Sequence, residues 1–523
     1  MTRTRLVSAA AIFFPLLLTV ALSGAESRRV VVVVWDGMRP DFVTAESTPN
    51  LWQLAQRGVF FAQHHAVYLS ATEVNGTAIA TGAYPAHSHV IANTDFRPAI
   101  DGQKSVAIEE PATVAQGDAI SGGHYLGMTT VAELLHARGE RTAIAGSKQV
   151  ALLHDRASRP DTPGVSPVVF EGATLPEALG ARLSSVHGEF PATGAGQEKT
   201  ARDDWTTRVL TTSLWAAGVP IYSLLWLAEP DFSQHAYGPG SAQSLAAIRS
   251  SDVNLGRVLA ELAKRSLLGD TDVLVVSDHA FSTITRKVDV AVELSVAGFA
   301  AKRAVPGGLK SGEVLVVSNG GSTLLFVGNH DAAVVQRLAG FVQTQDWAGV
   351  IFSRTPIDGT FALAAAHIDS PEAPDLVVSL RWNSGKSATG TAGLHTSDLS
   401  PSSPKTGNHA SLSAYDMHNT LVAAGPDFRS GVRNPLASGN TDLAPTILWL
   451  LGYREEARKM DGRVLSEALV GRDAPPLREV KAERLNSRRE LPGGTWSQYL
   501  QIVDINGVRY LDEGNGGFSP APK

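Results

Sequence analysis

The chain contains no cysteine. That excludes disulfide staples, thiolate metal ligands and a cysteine nucleophile, and it leaves stability to core burial and to ions held by oxygen and nitrogen. A basic excess is lacking too. Forty-five Lys and Arg against 51 Asp and Glu give a net charge of −6, so there is no cationic field for gripping nucleic acid. Beyond residue 22 no apolar run reaches about 18 residues, so no later segment is expected to span a bilayer. Apolar residues are otherwise plentiful. At 43% apolar and 18% charged, the 523 residues read as a folded globular protein of one to three domains. The one long apolar run, Leu6 to Leu22, follows Arg3 and Arg5 and precedes the small residues Ser23-Gly24-Ala25. Residues 1–25 are therefore expected to be a signal peptide, with a mature chain starting near Glu26 in the periplasm or outside the cell. A retained anchor is the alternative, for which the run is short and interrupted by Pro15.

Strand and helix signals alternate. Arg28 to Val34 is a β-branched run suited to burial on both faces. Thr48-Pro49 opens a helix that Gly58 closes, and Val59 to Tyr68 reads as a strand running toward Thr72 at the start of a helix. Residues 94 to 128 look like an irregular excursion. Strands then follow at Thr142–Gly146, Pro220–Ala228 and Val273–Ser277, with helices at Trp205–Ala217 and Ser241–Lys264 between the last three. The alternation predicts an α/β fold, a doubly wound and mostly parallel sheet flanked by helices. A smaller inserted lobe with an active-site loop is expected over 281–408, where Ser384 to Asn408 reads as loop. The core is then assigned to 28–280 and 409–470, and a C-terminal extension to 471–523. Within that extension Asn506-Gly507 is the strongest hairpin signal of the chain.

Acidic residues close three of these strand signals: Asp36, then Asp231 after Glu229-Pro230, then Asp278-His279. Carboxyl ends of parallel strands converge on one sheet edge, where open α/β folds bind ligands. Asp231 and His235 lie four apart and share one helical face. Three Asp with His235, His279 and His409 suit two zinc-like divalent ions, which take carboxylate oxygen and imidazole nitrogen. Thr72 at a helix start is either a cap or a nucleophile, and a divalent cation would stabilise its alkoxide. Asn75, one turn on, could donate an amide to a phosphoryl oxygen. The pattern is that of a two-metal hydrolase acting on small phosphate esters.

The motifs resemble those of the nucleotide pyrophosphatase/phosphodiesterase branch of the alkaline phosphatase superfamily. They are Val34-Trp35-Asp36-Gly37, Thr48-Pro49-Asn50-Leu51, Thr72-x-x-Asn75, Thr81-Gly82-Ala83-Tyr84-Pro85, Glu229-Pro230-Asp231, His235-x-Tyr237-Gly238-Pro239 and Ser277-Asp278-His279. The resemblance implies two zinc ions. One would be held by Asp231, His235 and His409, the other by Asp36, Thr72, Asp278 and His279, with Asn75 on the phosphoryl oxygens. It also implies a phosphorylated or nucleotidylated Thr72 intermediate. In the same loop as His409, His395 is the rival third histidine, because the family's His-Gly pair reads His409-Ala410 here. Where the family places an aromatic after the threonine, Glu73 stands.

A phosphomonoesterase on the same scaffold is the alternative. Monoesterases of the superfamily place a Lys and, two residues on, an Arg near the end of the Thr142–Gly146 strand. Lys148 fits the first position as a substrate-binding cation, and Val150 replaces the second. Tyr84, Tyr237 and the inserted lobe are candidates to receive the second organic group of a diester. A sulfatase is disfavoured by the want of a Cys/Ser-x-Pro-x-Arg pattern at the nucleophile. A catalytically silent binding protein would need no intact Thr72.

Overall fold

The computed structural model describes residues 28–522 except 163, 195–197, 472–475 and 478. The expected signal peptide lies outside the described residues, and no helix among those described is long and apolar enough to cross a membrane.

The centre is a nine-stranded sheet in the order Val432–Gly439, Val59–His65, Leu421–Ala424, Thr271–Val276, Arg29–Trp35, Tyr222–Leu227, Thr142–Gly146, Val168–Phe170, Ala173–Leu175. Only Leu421–Ala424 and Ala173–Leu175 run against the others. The Arg29–Trp35 strand explains the layering. Val30, Val32 and Val34 face one apolar cluster and Val31, Val33 and Trp35 the other, all fully buried. Each such valine contributes roughly 1.5–3 kcal/mol of burial. A strand apolar on both faces can only lie between two helical layers, which is why it sits at the middle of the sheet.

Four smaller sheets surround this core, the least of them pairing Thr94–Asp95 with Val106–Ala107. Six strands between Ala300 and Leu380 form one, packed on the Ala332–Val342 helix. Val480–Leu491, Gly494–Ile505 and Val508–Pro520 form another, turning at Asn506-Gly507, where both residues hold positive φ. The third joins Ser282–Val288 to Trp382–Lys386, Ala392–Asp398 and Gly407–Asn408. About half of the stretch Ser384–Asn408, expected as loop throughout, is strand: the end of Trp382–Lys386, Ala392–Asp398 and Gly407–Asn408. Its polar residues gave no hydrophobic alternation, yet backbone ladders to Thr283–Val288 pair them. The excursion at 94–128 likewise holds a helix, Pro111–Ser121, with Pro at its first turn and left-handed Gly122 at its end. Thr48 does not cap the Pro49–Arg57 helix. The Asp252 carboxylate does so from the Ala242–Lys264 helix, accepting the Asn50 and Leu51 N–H groups at 3.0 and 2.9 Å.

Candidate metal centre and active site

The carboxyl edge of the sheet gathers residues from four neighbouring strands. Asp36 follows Trp35, Lys148 follows Gly146-Ser147, and Asp278-His279 follow Val276-Ser277. Leu227 leads through Glu229-Pro230 into the short Asp231–Tyr237 helix. Thr72 is the first residue of the Thr72–Thr81 helix, whose cap is Ala71, so its hydroxyl is not spent as a cap. Instead Oγ1 lies 3.2 Å from His279 Nε2 and 3.4 Å from Lys148 Nζ.

Each imidazole is oriented the same way. Nδ1 of His235, His279 and His409 lies 2.9, 3.0 and 2.9 Å from the carbonyls of Gly407, Ala280 and Ser70. A carbonyl only accepts, so Nδ1 carries the proton and Nε2 presents its lone pair. Nε2 of His235 and of His409 then approach Asp231 Oδ1 at 3.3 and 3.7 Å. Nε2 of His279 approaches Asp278 Oδ2 at 3.3 Å and Asp36 Oδ1 at 3.6 Å. Two of the carboxylates are pinned by one oxygen only. Asp36 Oδ2 accepts from Trp226 Nε1 at 2.9 Å, and Asp278 Oδ1 from the Gly37 N–H at 3.0 Å.

The other oxygens, Asp36 Oδ1 and Asp278 Oδ2, are buried without a hydrogen-bond partner, as is Asp231 Oδ1. Unpaired buried carboxylate oxygens facing imidazole lone pairs are unfavourable unless cations lie between them. The donors fall into two sets with the spacing a metal needs: Asp231, His235 and His409, and Asp36, Asp231 and His279. The chemistry therefore fits a pair of divalent ions held by oxygen and nitrogen, with backbone carbonyls fixing the ligand tautomers.

The electrostatics agree. Burial, with Asp278 nearby, pushes the Asp36 carboxyl well above the usual range. Against the upward push of burial, Lys148 and His235 hold Asp231 well below it. Against the downward push of burial, Asp231 and Asp36 hold the Lys148 ammonium well above its ordinary value. Lys148 Nζ is 2.8 Å from Asp36 Oδ2 and 3.4 Å from Asp231 Oδ2. Burial keeps His235 and His409 neutral, which a metal ligand must be. One ammonium against three carboxylates leaves the metal-free centre negative, and two divalent ions would reverse that sign and admit a phosphate.

Asn75 does not face this centre. Its Nδ2 donates to the carbonyls of Val67, Leu69 and Ala71 at 3.0, 3.3 and 3.0 Å. Its Oδ1 accepts from the Val67 N–H at 2.7 Å and from Asn440 Nδ2 at 2.9 Å. With both amide hydrogens engaged, Asn75 braces the chain between the Val59–His65 strand and Thr72, and the phosphoryl contact expected of it is not supported. Asn93 instead lies against the first turn of the Thr72 helix. Its Oδ1 accepts the Glu73 N–H at 3.1 Å, and its Nδ2 has no protein partner among the described residues. No motif in the sequence singles out an asparagine in a loop, so this position was missed.

His409 joins the Asp231 set, whereas His395 lies in the Ala392–Asp398 strand and belongs to none of the described donor clusters. Glu73 and Glu109 each bury one carboxylate oxygen without a partner, and burial pushes Glu109 up to about 7. Val150 is fully buried in the main core. Tyr84 does not offer a wall to the centre. Its ring stacks on His367 at 4.3 Å, its OH donates to the Arg509 carbonyl, and it lines a small cavity with His65 and Tyr68.

Fold and site together define an α/β protein whose sheet edge gathers two groups of Asp and His donors able to hold a metal ion, with a threonine at a helix start beside them. The sequence profile of the type I phosphodiesterase / nucleotide pyrophosphatase family matches residues 30–383, and the chain belongs to that family. It is 23% identical over 270 residues to venom phosphodiesterase 2 of Crotalus adamanteus, covering 50% of this chain and 28% of that protein. It is 20% identical over 267 residues to the bis(5'-adenosyl)-triphosphatase enpp4 of Xenopus laevis, covering 50% and 48%. The chain thus spans about a quarter to a half of the length of these curated relatives. Murine ectonucleotide pyrophosphatase / phosphodiesterase 5 shares the fold at a TM-score of 0.55 and 18% identity, over 81% of this chain and 95% of that one. An inactive variant of the same murine protein, in complex with AMP, matches equally well.

Proposed function

We propose that the protein hydrolyses phosphodiester or pyrophosphate bonds of a small substrate, with Thr72 as nucleophile. The observation that carries this is the position of Thr72 Oγ1 beside His279 Nε2 and Lys148 Nζ, at an edge where three buried carboxylate oxygens have no partner. Asp231, His235 and His409 would hold one divalent ion, and Asp36, Asp278, His279 and Thr72 the other, both suited to zinc. When bound, such ions supply positive charge that stabilises an alkoxide on Thr72 and the charge developing on the phosphoryl oxygens.

Thr72 Oγ1 gives up its proton to solvent and bonds to phosphorus as the oxygen of the leaving group departs with the bonding pair. Water then displaces the Thr72 oxygen from phosphorus, one of its protons passing to the departing Oγ1 to restore the hydroxyl, and two in-line displacements retain configuration. The helix start favours negative charge at the phosphoryl group, and Asn93 Nδ2, anchored through its carbonyl to the same first turn, donates to a nonbridging oxygen. Lys148 adds one cation. Substituting Thr72→Ala should abolish turnover of bis-p-nitrophenyl phosphate while most of the metal is kept, and quenching the wild-type enzyme with substrate should trap the phosphorylated or nucleotidylated Thr72 peptide by mass. Full turnover without Thr72 would assign attack to water instead.

A phosphomonoesterase is the alternative, favoured by Lys148 lying within 3.4 Å of the Thr72 hydroxyl. Against it stands Val150, fully buried and apolar at the position of a second cation. Export of the chain by residues 1–25, to the periplasm or beyond, is part of the same proposal, because small phosphate esters outside the cell are the substrates such an enzyme would meet.

A further inference from the structure

At the carboxyl end of the Val59–His65 strand the two histidines point in opposite directions. His64 is satisfied by Ser438 Oγ and Asn440 Oδ1, each at 2.9 Å. The His65 ring turns instead toward His418 and Asp512. Its Nδ1 lies 3.1 Å from the Ser438 carbonyl, which only accepts, so Nδ1 carries the proton and Nε2 the lone pair. That lone pair faces Asp512 Oδ1 at 3.2 Å. His418 Nε2 reaches the same oxygen at 2.7 Å, with the two rings edge to face at 4.6 Å. A neutral His65 and an ionised Asp512 therefore present two acceptors to one another. Making the contact a hydrogen bond requires a doubly protonated His65, which burial of the ring opposes.

A second observation concerns Asp512 itself. In the ladder between Gly494–Ile505 and Val508–Pro520, Ile502 pairs with Leu511 and Gln501 with Glu513, so Asp512 has no partner across the strands. A bulge of this kind re-aims a side chain, and here it turns the carboxylate onto the two imidazoles. Tyr510 stacks over His65 at 6.0 Å and holds the ring in place. The carbonyl-to-Nδ1 anchoring repeats that of all three imidazoles in the Asp/His centre. Access remains, since the side chains of His418 and Asp512 are 24% and 23% exposed.

We propose that His65, His418 and Asp512 form a further divalent-cation site, distinct from the paired centre, with two imidazole nitrogens and one carboxylate oxygen as protein ligands. The three donor atoms lie within 4.8 Å of one another. The ligand set is that of a zinc-class ion, with water completing the coordination at the open side. Among the described residues no serine or threonine hydroxyl is hydrogen-bonded to these three side chains. The ion instead fastens the C-terminal three-stranded sheet to the central sheet, joining positions separated by 447 residues of chain. Holding the bulged strand there also holds Tyr510 against Asp442, to which its hydroxyl donates at 2.8 Å.

The test uses the full chain, stripped with chelator and titrated with zinc alone. Wild type should bind about three equivalents, Asp512→Asn and His418→Ala about two each, and an Asp231→Asn/His235→Ala variant should keep the equivalent that Asp512→Asn loses. Turnover of bis-p-nitrophenyl phosphate by Asp512→Asn at saturating zinc should stay within roughly threefold of wild type, as this residue touches no reacting atom. Because a variant can lose metal by misfolding, a second measurement needs none. Zinc should protect His418 of the wild-type protein from diethylpyrocarbonate at least about tenfold, read by peptide mapping. Equal modification with and without zinc, or equal zinc binding by wild type and Asp512→Asn, would overturn the proposal. Failure of the paired centre would show differently, as loss of the equivalents that survive in Asp512→Asn.

Discussion

Asn75 and Asn93 make a sharp pair of perturbations, because the same chemical change should act on different quantities. Removing the Asn75 side chain orphans the Val67 N–H and the Val67 carbonyl, both buried and otherwise unpaired. The Leu69 carbonyl keeps its Ala71 N–H partner and the Ala71 carbonyl its Asn75 N–H partner, so these two are not orphaned. Each orphaned buried group costs about 1–3 kcal/mol, so Asn75→Ala should destabilise the protein by roughly 2–6 kcal/mol. Asn93→Ala removes only one acceptor, from the Glu73 N–H in the first helical turn, and should cost about 1 kcal/mol or less. Its effect belongs in the rate: losing one donor to the phosphoryl oxygens should lower kcat by about a hundredfold or more. The assay is paired. Denaturant unfolding of zinc-loaded protein gives stability, and initial rates on bis-p-nitrophenyl phosphate give kcat and KM. If Asn75→Ala unfolds at the wild-type midpoint yet loses kcat a hundredfold, or if Asn93→Ala turns over normally, the assignment of the two asparagines is wrong.

The Thr72→Ala variant should lose about a thousandfold or more in kcat while keeping its fold and most of its zinc, measured by steady-state rates and elemental analysis. The kcat/KM ratio for bis-p-nitrophenyl phosphate over p-nitrophenyl phosphate should favour the diester, since one cation at Lys148 neutralises a dianion less well than two; a clear monoester preference, abolished in Lys148→Ala, would instead place the chain among the phosphatases. Acid should destabilise the fold. Burial holds His64, His154 and His395 down to about 3 against an ordinary value of 6.5, so their contribution is present above pH 6.5 and is lost as pH falls toward 3. Within that window each unfolded-state histidine takes up a proton that the folded one refuses, worth about 1.4 kcal/mol per pH unit, and His154→Phe should flatten the stability–pH slope by that amount if it folds.

Much of the fold was legible because its causes are local in sequence. A run such as Val30 to Val34 can be satisfied only between two layers, so its central place in a mostly parallel sheet follows from hydrophobicity alone. The Asn506-Gly507 turn follows from the positive φ that those two residues tolerate. Polarity misled over Ala392–Asp398, a strand made by backbone pairing whose buried side chains are mostly polar and so leave no hydrophobic alternation to read. The strand-end carboxylates Asp36 and Asp278 were visible for the same local reason: a strand pattern stops at them, and parallel strands stop on one edge. What a side chain does once the chain leaves the strand is set by where the following loop passes. Nothing local distinguishes Asn75, turned back onto Val67, from Asn93, brought to the Thr72 helix by a loop some 20 residues later. His409 reaches Asp231 and His395 does not because the Gly407–Asn408 strand docks antiparallel on Ser282–Thr283. His65, His418 and Asp512 meet only because a bulge in the last strand aims one carboxylate across the molecule. Periodicity and strand-end chemistry are properties of neighbouring residues, and the sequence by itself determines them. A convergence of donors from distant loops is a property of the packed chain, and only the tertiary structure decides it.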